Sequence, residues 1–341
     1  MKVTLRTIAG LLSSAVMVSC SNVNDDPNIS QTPIDFGTTV SRAAVADKSE
    51  LSSFSVWGGY QGVEDLFDGT VVDKNGAYTD GTRYWIPGKT FNFYAVHPAT
   101  LPSGATANVT DVAGNGIITV TDFDCSKFGT EAVDLMTASR IGMDGSNPEK
   151  VALTFKHALT RITFSAKLAD RLDEGYSLHV NEVALWASNK GDMTQNMNQT
   201  DSQPVWITQP YLQEGDNEGD INEEYNAYLY RLTSSDGALI ANPISKGDAV
   251  PLNVKGKGDL LVVPQEMNYT RPVLAINYTL SYGESTSTAI WKVYPLKGNT
   301  DWTPGTSLNY TFTIDEDNAY FNVNVGDWID GNLGKEEIVF E

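Results

Sequence analysis

Trp85-Ile86-Pro87-Gly88-Lys89-Thr90-Phe91-Asn92-Phe93 returns toward the other end of the chain as Trp302-Thr303-Pro304-Gly305-Thr306-Ser307-Leu308-Asn309-Tyr310. Both copies follow W-x-P-G-x-[TS]-[FL]-N-[FY]. Pro fixes φ near the value a tight turn needs, and the next Gly supplies the positive φ of a type II turn. An alternating strand leaves each turn, so the Trp before it is placed to cover the end of a core. The repeat predicts two β domains of similar plan in tandem, each entering a central strand through this turn. Residues 142–149 (GMDGSNPE), dense in turn formers, mark the boundary between them.

The chain around these turns carries the same signal. Short β-branched and aromatic runs alternate with clusters of Gly, Asn, Asp and Pro, the pattern of sandwiches and barrels. The clearest runs are 91–96 (FNFYAV), 153–159 (LTFKHAL), 183–186 (VALW), 260–263 (LLVV), 273–278 (VLAINY), 289–294 (AIWKVY) and 308–314 (LNYTFTI). In the last, Leu308, Tyr310, Phe312 and Ile314 share one face, which predicts a strand whose other face is wet. No long stretch keeps a helical period, although residues 167–173 would allow a turn or two. Regular βαβ alternation is absent, which argues against a parallel nucleotide-binding sheet. The predicted fold class is all-β, with domains at 34–150 and 151–341.

The 341 residues leave room for two domains, and 41% apolar against 19% charged residues is enough for packed cores. The formal charge is -20, and such a surface repels phosphate backbones, so no nucleic acid is expected as a partner. The plainer role of the acidity is solubility.

The first twenty residues stand apart. Lys2 and Arg6 form a basic region, an apolar stretch covers residues 8–18, and Ser19-Cys20 ends it. That is the layout of a bacterial signal peptide, with an apolar stretch too short to span a bilayer. Met17-Val18-Ser19-Cys20 resembles the looser lipoprotein cleavage box of the Bacteroidetes, with Met17 where Leu is more usual. On this reading residues 1–19 are a lipoprotein signal peptide, and Cys20 is the lipidation site that carries diacylglycerol and palmitate. A plain signal peptide with an incidental Cys is the simpler alternative. Each buried CH₂ of an acyl chain contributes about 0.8 kcal/mol, so several chains would hold firmly. Residues 20–33 have the composition of a flexible tether. Asp25-Asp26 resembles the signal that directs such lipoproteins to the outer face of the outer membrane.

Chemistry is harder to find. Cys125 has no partner once Cys20 carries lipid, and DFDCSKF predicts a half-buried strand or turn residue, not a reactive thiol. His97, His157 and His179 form no metal motif, and His157 in LTFKHALT suits a structural His with one hydrogen bond. Phosphate-binding, dinucleotide and nucleophile-elbow motifs are absent. The six carboxylates within residues 214–224 would suit calcium, but the glycines are misplaced for an EF-hand, and a solvated acidic loop is the plainer reading. A carboxylate pair for glycoside hydrolysis is not singled out. The expectation is no enzyme, no metal and no cofactor.

Several segments, in order, resemble the fimbrillin family of the Bacteroidetes, the lipoprotein-derived pilins also called type V. They are Tyr84-Trp85-Ile86-Pro87-Gly88 with Phe93-Tyr94-Ala95-Val96-His97-Pro98, Asp134-Leu135-Met136-Thr137-Ala138, and residues 153–162 (LTFKHALTRI). Val262-Val263-Pro264-Gln265, Trp302-Thr303-Pro304-Gly305 and Val325-Gly326-Asp327-Trp328 complete the set. The resemblance implies two transthyretin-like β-sandwich domains and a structural subunit of an adhesive surface fimbrium, whether stalk, tip or accessory. It also implies an assembly route. An arginine-directed protease cuts near the first strand, and a neighbouring pilin subunit fills the emptied groove by β-strand addition. Residues 34–40 (IDFGTTV) match that strand, with Arg42 just beyond it and Ala43 as the first residue after the cut; an ordinary surface Arg is the alternative. Stalk pilins carry a C-terminal donor segment, whereas here only the run Ile338-Val339-Phe340 follows Trp328, either a donor or the last strand of its own domain. The implied partners are neighbouring subunits, the outer membrane and a host or bacterial surface ligand. The competing expectation is a non-polymerising surface lipoprotein that binds glycan or host protein through exposed aromatics such as Trp57 and Tyr60.

Overall fold

A computed structural model of the chain describes residues 32–40, 51–102, 104–199, 202–208, 229–258, 260–316, 318–328 and 337–339. Both W-x-P-G turns close as expected. Gly88 has φ +77° and Gly305 φ +70°. Lys89 N donates to Ile86 O (3.2 Å), and Thr306 N donates to Thr303 O (3.3 Å). Trp85 and Trp302 are both buried at the ends of hydrophobic cores.

The first half contributes β1 (Phe36–Val40), β2 (Ser53–Tyr60), β3 (Val63–Asp73), β4 (Thr90–His97), β5 (Thr106–Thr110), β6 (Ile117–Asp124), β7 (Met136–Asp144) and β8 (Val151–His157). Six of them form one sheet in the order β1-β8-β7-β4-β2-β3. Its inner face carries Phe54, Phe67, Phe91, Phe93, Leu153 and Phe155 in a single core. Phe36 on one edge strand meets Phe67 on the other at 5.3 Å between ring centroids, so the sheet curls round that core.

The second half opens with β9 (Thr160–Leu168), β10 (Tyr176–Trp186), β11 (Lys190–Asn196), β12 (Val205–Thr208) and β13 (Leu229–Thr233). Short strands β14 (Ile244–Ser245), β15 (Val250–Pro251) and β16 (Leu260–Val262) follow, then β17 (Val273–Tyr282), β18 (Ser285–Thr286) and β19 (Ile290–Pro295). The chain ends on β20 (Thr306–Ile314), β21 (Ala319–Asp327) and β22 (Glu337–Val339). A sheet in the order β15-β9-β20-β21-β22 packs against one in the order β13-β10-β17-β18, with β19 also paired to β17. Phe164, Tyr310 and Phe312 from the first face Leu185, Ile276 and Tyr278 from the second. Among the described residues the helical content is one 3₁₀ turn and α1 (Met267–Thr270), so the chain is nearly all-β.

Two expectations need adjusting. Residues 167–173 form one turn and no helix: β9 runs on to Leu168, because Ala166 and Leu168 alternate into the core at a strand's period, and Leu172 N then donates to Ala169 O (3.0 Å). Nor is the polar face of β20 wet. This strand lies between β9 and β21, and Asn309 is 4% exposed. Its Oδ1 accepts from Thr163 Oγ1 (3.1 Å) and Ser165 Oγ (3.2 Å), and its Nδ2 donates to Thr311 Oγ1 (3.0 Å). A polar ladder that bonds to itself can be buried without the cost of stranded donors.

Strands from the two halves share a sheet. β11 and β12 pair onto β6 and β5 in the order β12-β11-β6-β5, and this sheet packs on the back of β2 and β4 through Trp57, Tyr94, Ile118, Phe123 and Met193. The sequence division at 150/151 falls between β7 and β8, which pair with each other.

Side chains quoted singly in the sequence motifs meet at this seam. His157 Nδ1 lies 2.9 Å from a carboxylate oxygen of Asp134, and its ring stacks on Trp328 at 3.8 Å. His97 Nδ1 is 3.2 Å from Asp134 O. Gln265 is held by Ser188 and exchanges two 2.9 Å backbone bonds with Trp302. His157 is thus structural, as expected of it.

Burial holds the His97 imidazole below its ordinary value, against the pull of its bond to Asp134 O and the charge of Asp134. Between that lowered value and about pH 6.5 this site binds fewer protons folded than unfolded, so its contribution makes stability fall as the medium is acidified through that window. Urea unfolding at pH 7.5 and pH 5 should show the fall, and His97→Gln should shrink it.

Candidate functional site

β1 lies at a sheet edge, paired in parallel with β8 from Phe36↔Val151 to Val40↔Phe155. Alternation puts Ile34 and Phe36 inward, both fully buried, and Asp35 outward. The Phe36 ring stands edge-on to Phe54 (6.5 Å), Phe67 (5.3 Å), Tyr78 (6.0 Å) and Phe93 (5.7 Å), the arrangement that aromatic quadrupoles favour.

The other side of this segment is gripped by the loop after β3. Ile34 N donates to Arg83 O (2.9 Å), Trp85 N to Thr32 O (3.1 Å), and Tyr78 Oη to Ile34 O (3.0 Å). At Gly76 the loop backbone comes so close that a Cβ would lie 2.1 Å from Phe36 O, so only glycine fits. Arg83 braces the loop from outside. Its guanidinium lies over Phe67 (4.6 Å), donates to Leu66 O, and forks onto both oxygens of Asp80 (2.7 and 2.9 Å). That fork lowers the Asp80 carboxyl below the ordinary range. Sequence reasoning found the strand but not its clamp: Tyr78 and Arg83 sit in a turn-rich stretch without periodicity, and their role appears only once the sheet has curled.

What β1 occupies is a slot with a strand edge along one side, an aromatic floor and a loop along the other. Without β1, the β8 edge would lose its ladder partner and the aromatic floor its central ring. An extended segment with an apolar residue at every second position would restore both.

Cys20, Arg42, Ala43 and the acidic stretch 214–224 lie outside the described residues. Cys125 is fully buried where half-burial was expected. It sits just past β6, donates its thiol to Asn189 O (3.3 Å), and has its own carbonyl bonded by Tyr230 Oη (2.9 Å). Burial pushes that thiol up to about 11, far from reactivity. Trp57, expected to be an exposed binding aromatic, is 6% exposed because β5 and β6 cover the back of β2. Tyr60 is half-buried against Phe91. Among the described residues no group of three or more His, Cys, Asp or Glu is placed to hold a metal ion, and no helix is long and apolar enough to cross a membrane.

The fold is shared with a solved structure. A fimbrial protein from Bacteroides vulgatus superimposes with a TM-score of 0.60 at 17% identity, covering 87% of this chain and 99% of that one. A Bacteroides uniformis protein provisionally assigned to cell adhesion matches at TM-score 0.46 and 17% identity, covering 87% and 99% of the two chains. No curated protein matches the sequence. The profile described as fimbrillin-like matches residues 60–328, from the end of β2 to the Trp that stacks on His157. This chain belongs to the fimbrillin-like family.

Proposed function

We propose that this chain is a structural, non-catalytic subunit of an adhesive surface fimbrium that assembles by β-strand addition into the slot now filled by β1. The observation that carries the reading is the seating of Phe36, a fully buried aromatic on an edge strand whose ladder is with β8 alone. Family membership and the fimbrial relative from Bacteroides vulgatus support the adhesive role. In this scheme the lipid on Cys20 delivers the subunit to the outer membrane, cleavage between Arg42 and Ala43 frees β1, and a neighbouring subunit supplies the replacement strand. The chain would then act as two transthyretin-like sandwich units, the first closing on β8 and the second opening with β9.

Surface fibres sheared from cells and digested for mass spectrometry should contain this chain with Ala43 at its N-terminus. Fibres without the chain would sink the pilin reading, and mature chains starting upstream of Ala43 would sink the processing step.

The slot itself makes a second prediction. Phe36→Ala in the full chain should cost about 3–5 kcal/mol of unfolding free energy, the usual range for a buried Phe. A synthetic peptide of residues 32–40 should bind the chain cut after Arg42 once β1 has been displaced. The same peptide with Phe36→Ala should not.

A further inference from the structure

A different strand edge offers a second site. β12 ends the sheet β12-β11-β6-β5 and pairs only with β11, leaving its outer edge without a ladder partner among the described residues. Trp206 turns inward, packs against the core shared by the two halves, and donates its indole N–H to Ala158 O (2.9 Å). Val205 and Ile207 turn the other way and are 65% and 72% exposed. An apolar edge of this kind is one that folded proteins usually protect with charge or cover.

A cleft of about 600 Å³ adjoins this strand, walled on its far side by Pro264, Glu266, Tyr269 and Asp301. Tyr269 is 58% exposed. Asp301 spends one oxygen on Met267 N (2.7 Å), and neither Asp301 nor Glu266 has an ion-pair partner among the described residues. Among the described residues no Lys or Arg lines the cleft. The combination is a strand edge unpaired among the described residues, apolar side chains at every second position, and a negative wall opposite.

We propose that this edge docks an extended polypeptide strand of a partner protein, one that alternates apolar residues with lysine or arginine. The free backbone of β12 would supply the ladder, Val205 and Ile207 the side-chain contacts, and Glu266 and Asp301 the charge preference. A second copy fits poorly, because the chain carries a net charge of -20 and would bring more negative charge to a negative wall. A sugar fits poorly too. Trp302 is 1% exposed and bonded to Tyr310 Oη, which leaves Tyr269 as the wall's open ring. This edge belongs to a different sheet from β1, so it stands or falls apart from the strand-exchange reading.

The test is fluorescence anisotropy of the purified full-length chain with labelled eight-residue peptides that alternate Val or Ile with Lys. The Lys peptide should bind saturably, and its Glu counterpart at least about tenfold more weakly. N-methylation of the amides that would face β12 should abolish binding. Ile207→Lys should weaken it about tenfold while leaving the unfolding midpoint unchanged, since that side chain faces solvent. Glu266→Gln should flatten its salt dependence. Absence of peptide binding, or binding indifferent to N-methylation and to Ile207→Lys, would overturn the proposal. So would saturable oligosaccharide binding, or self-association, that Ile207→Lys removes.

Discussion

The first sheet depends on one ring. Phe36 closes a cluster of Phe54, Phe67, Tyr78 and Phe93 contributed by β2, β3, β4 and the loop after β3. Those elements face each other only because the sheet curls, and the curl brings together two edge strands that share no hydrogen bonds. The contact between Phe36 and Phe67 therefore does for this core what a closing ladder does for a barrel. The segment that contributes Phe36 is a five-residue edge strand, so the ring that completes the core sits on a strand laddered along one side only.

The second constraint is the seam between the halves. Pairing of β11 with β6 spans six residue pairs and carries strands of the second half onto the back of the first. Around it, polar side chains make specific bonds in dry surroundings: Thr137 Oγ1 donates to Gln195 Oε1 (2.8 Å), and Gln265 holds both Ser188 and Trp302. Such bonds contribute modestly when made and are costly when broken, so they define one relative placement of the sheets. His157 on Asp134 and Trp328 does the same at the end of β21.

Local chemistry was legible in the sequence; non-local pairing was not. Pro87-Gly88 and Pro304-Gly305 set their turns by the covalent limits of two residue types, and no partner is needed to read them. The strands around Phe93, Val273 and Leu308 follow from period and β-branching. The wet face expected of β20 failed because alternation shows which side is apolar, not whether the other is covered, and Asn309 finds its partners on β9 and along its own strand. Trp57 failed for a related reason: a strand flanked by glycines looks like a surface, and only the arrival of β5 and β6 buries it. The motifs Asp134-Leu135-Met136, residues 153–162 and Val325-Gly326-Asp327-Trp328 were visible singly, but their common purpose shows only when the seam brings them together.

The parallel pairing of β1 with β8 has a mechanical meaning. The chain enters β1 from its N-terminal side and leaves β8 toward the second half, so tension between those ends pulls the two strands in opposite directions along a common axis. Force so applied slides five residue pairs against one another at the same moment, instead of peeling them apart one after another. Evenly spaced parallel bonds share such a load. A joint loaded in shear resists pulling far better than one loaded at a corner, so tension along the chain leaves the first strand seated.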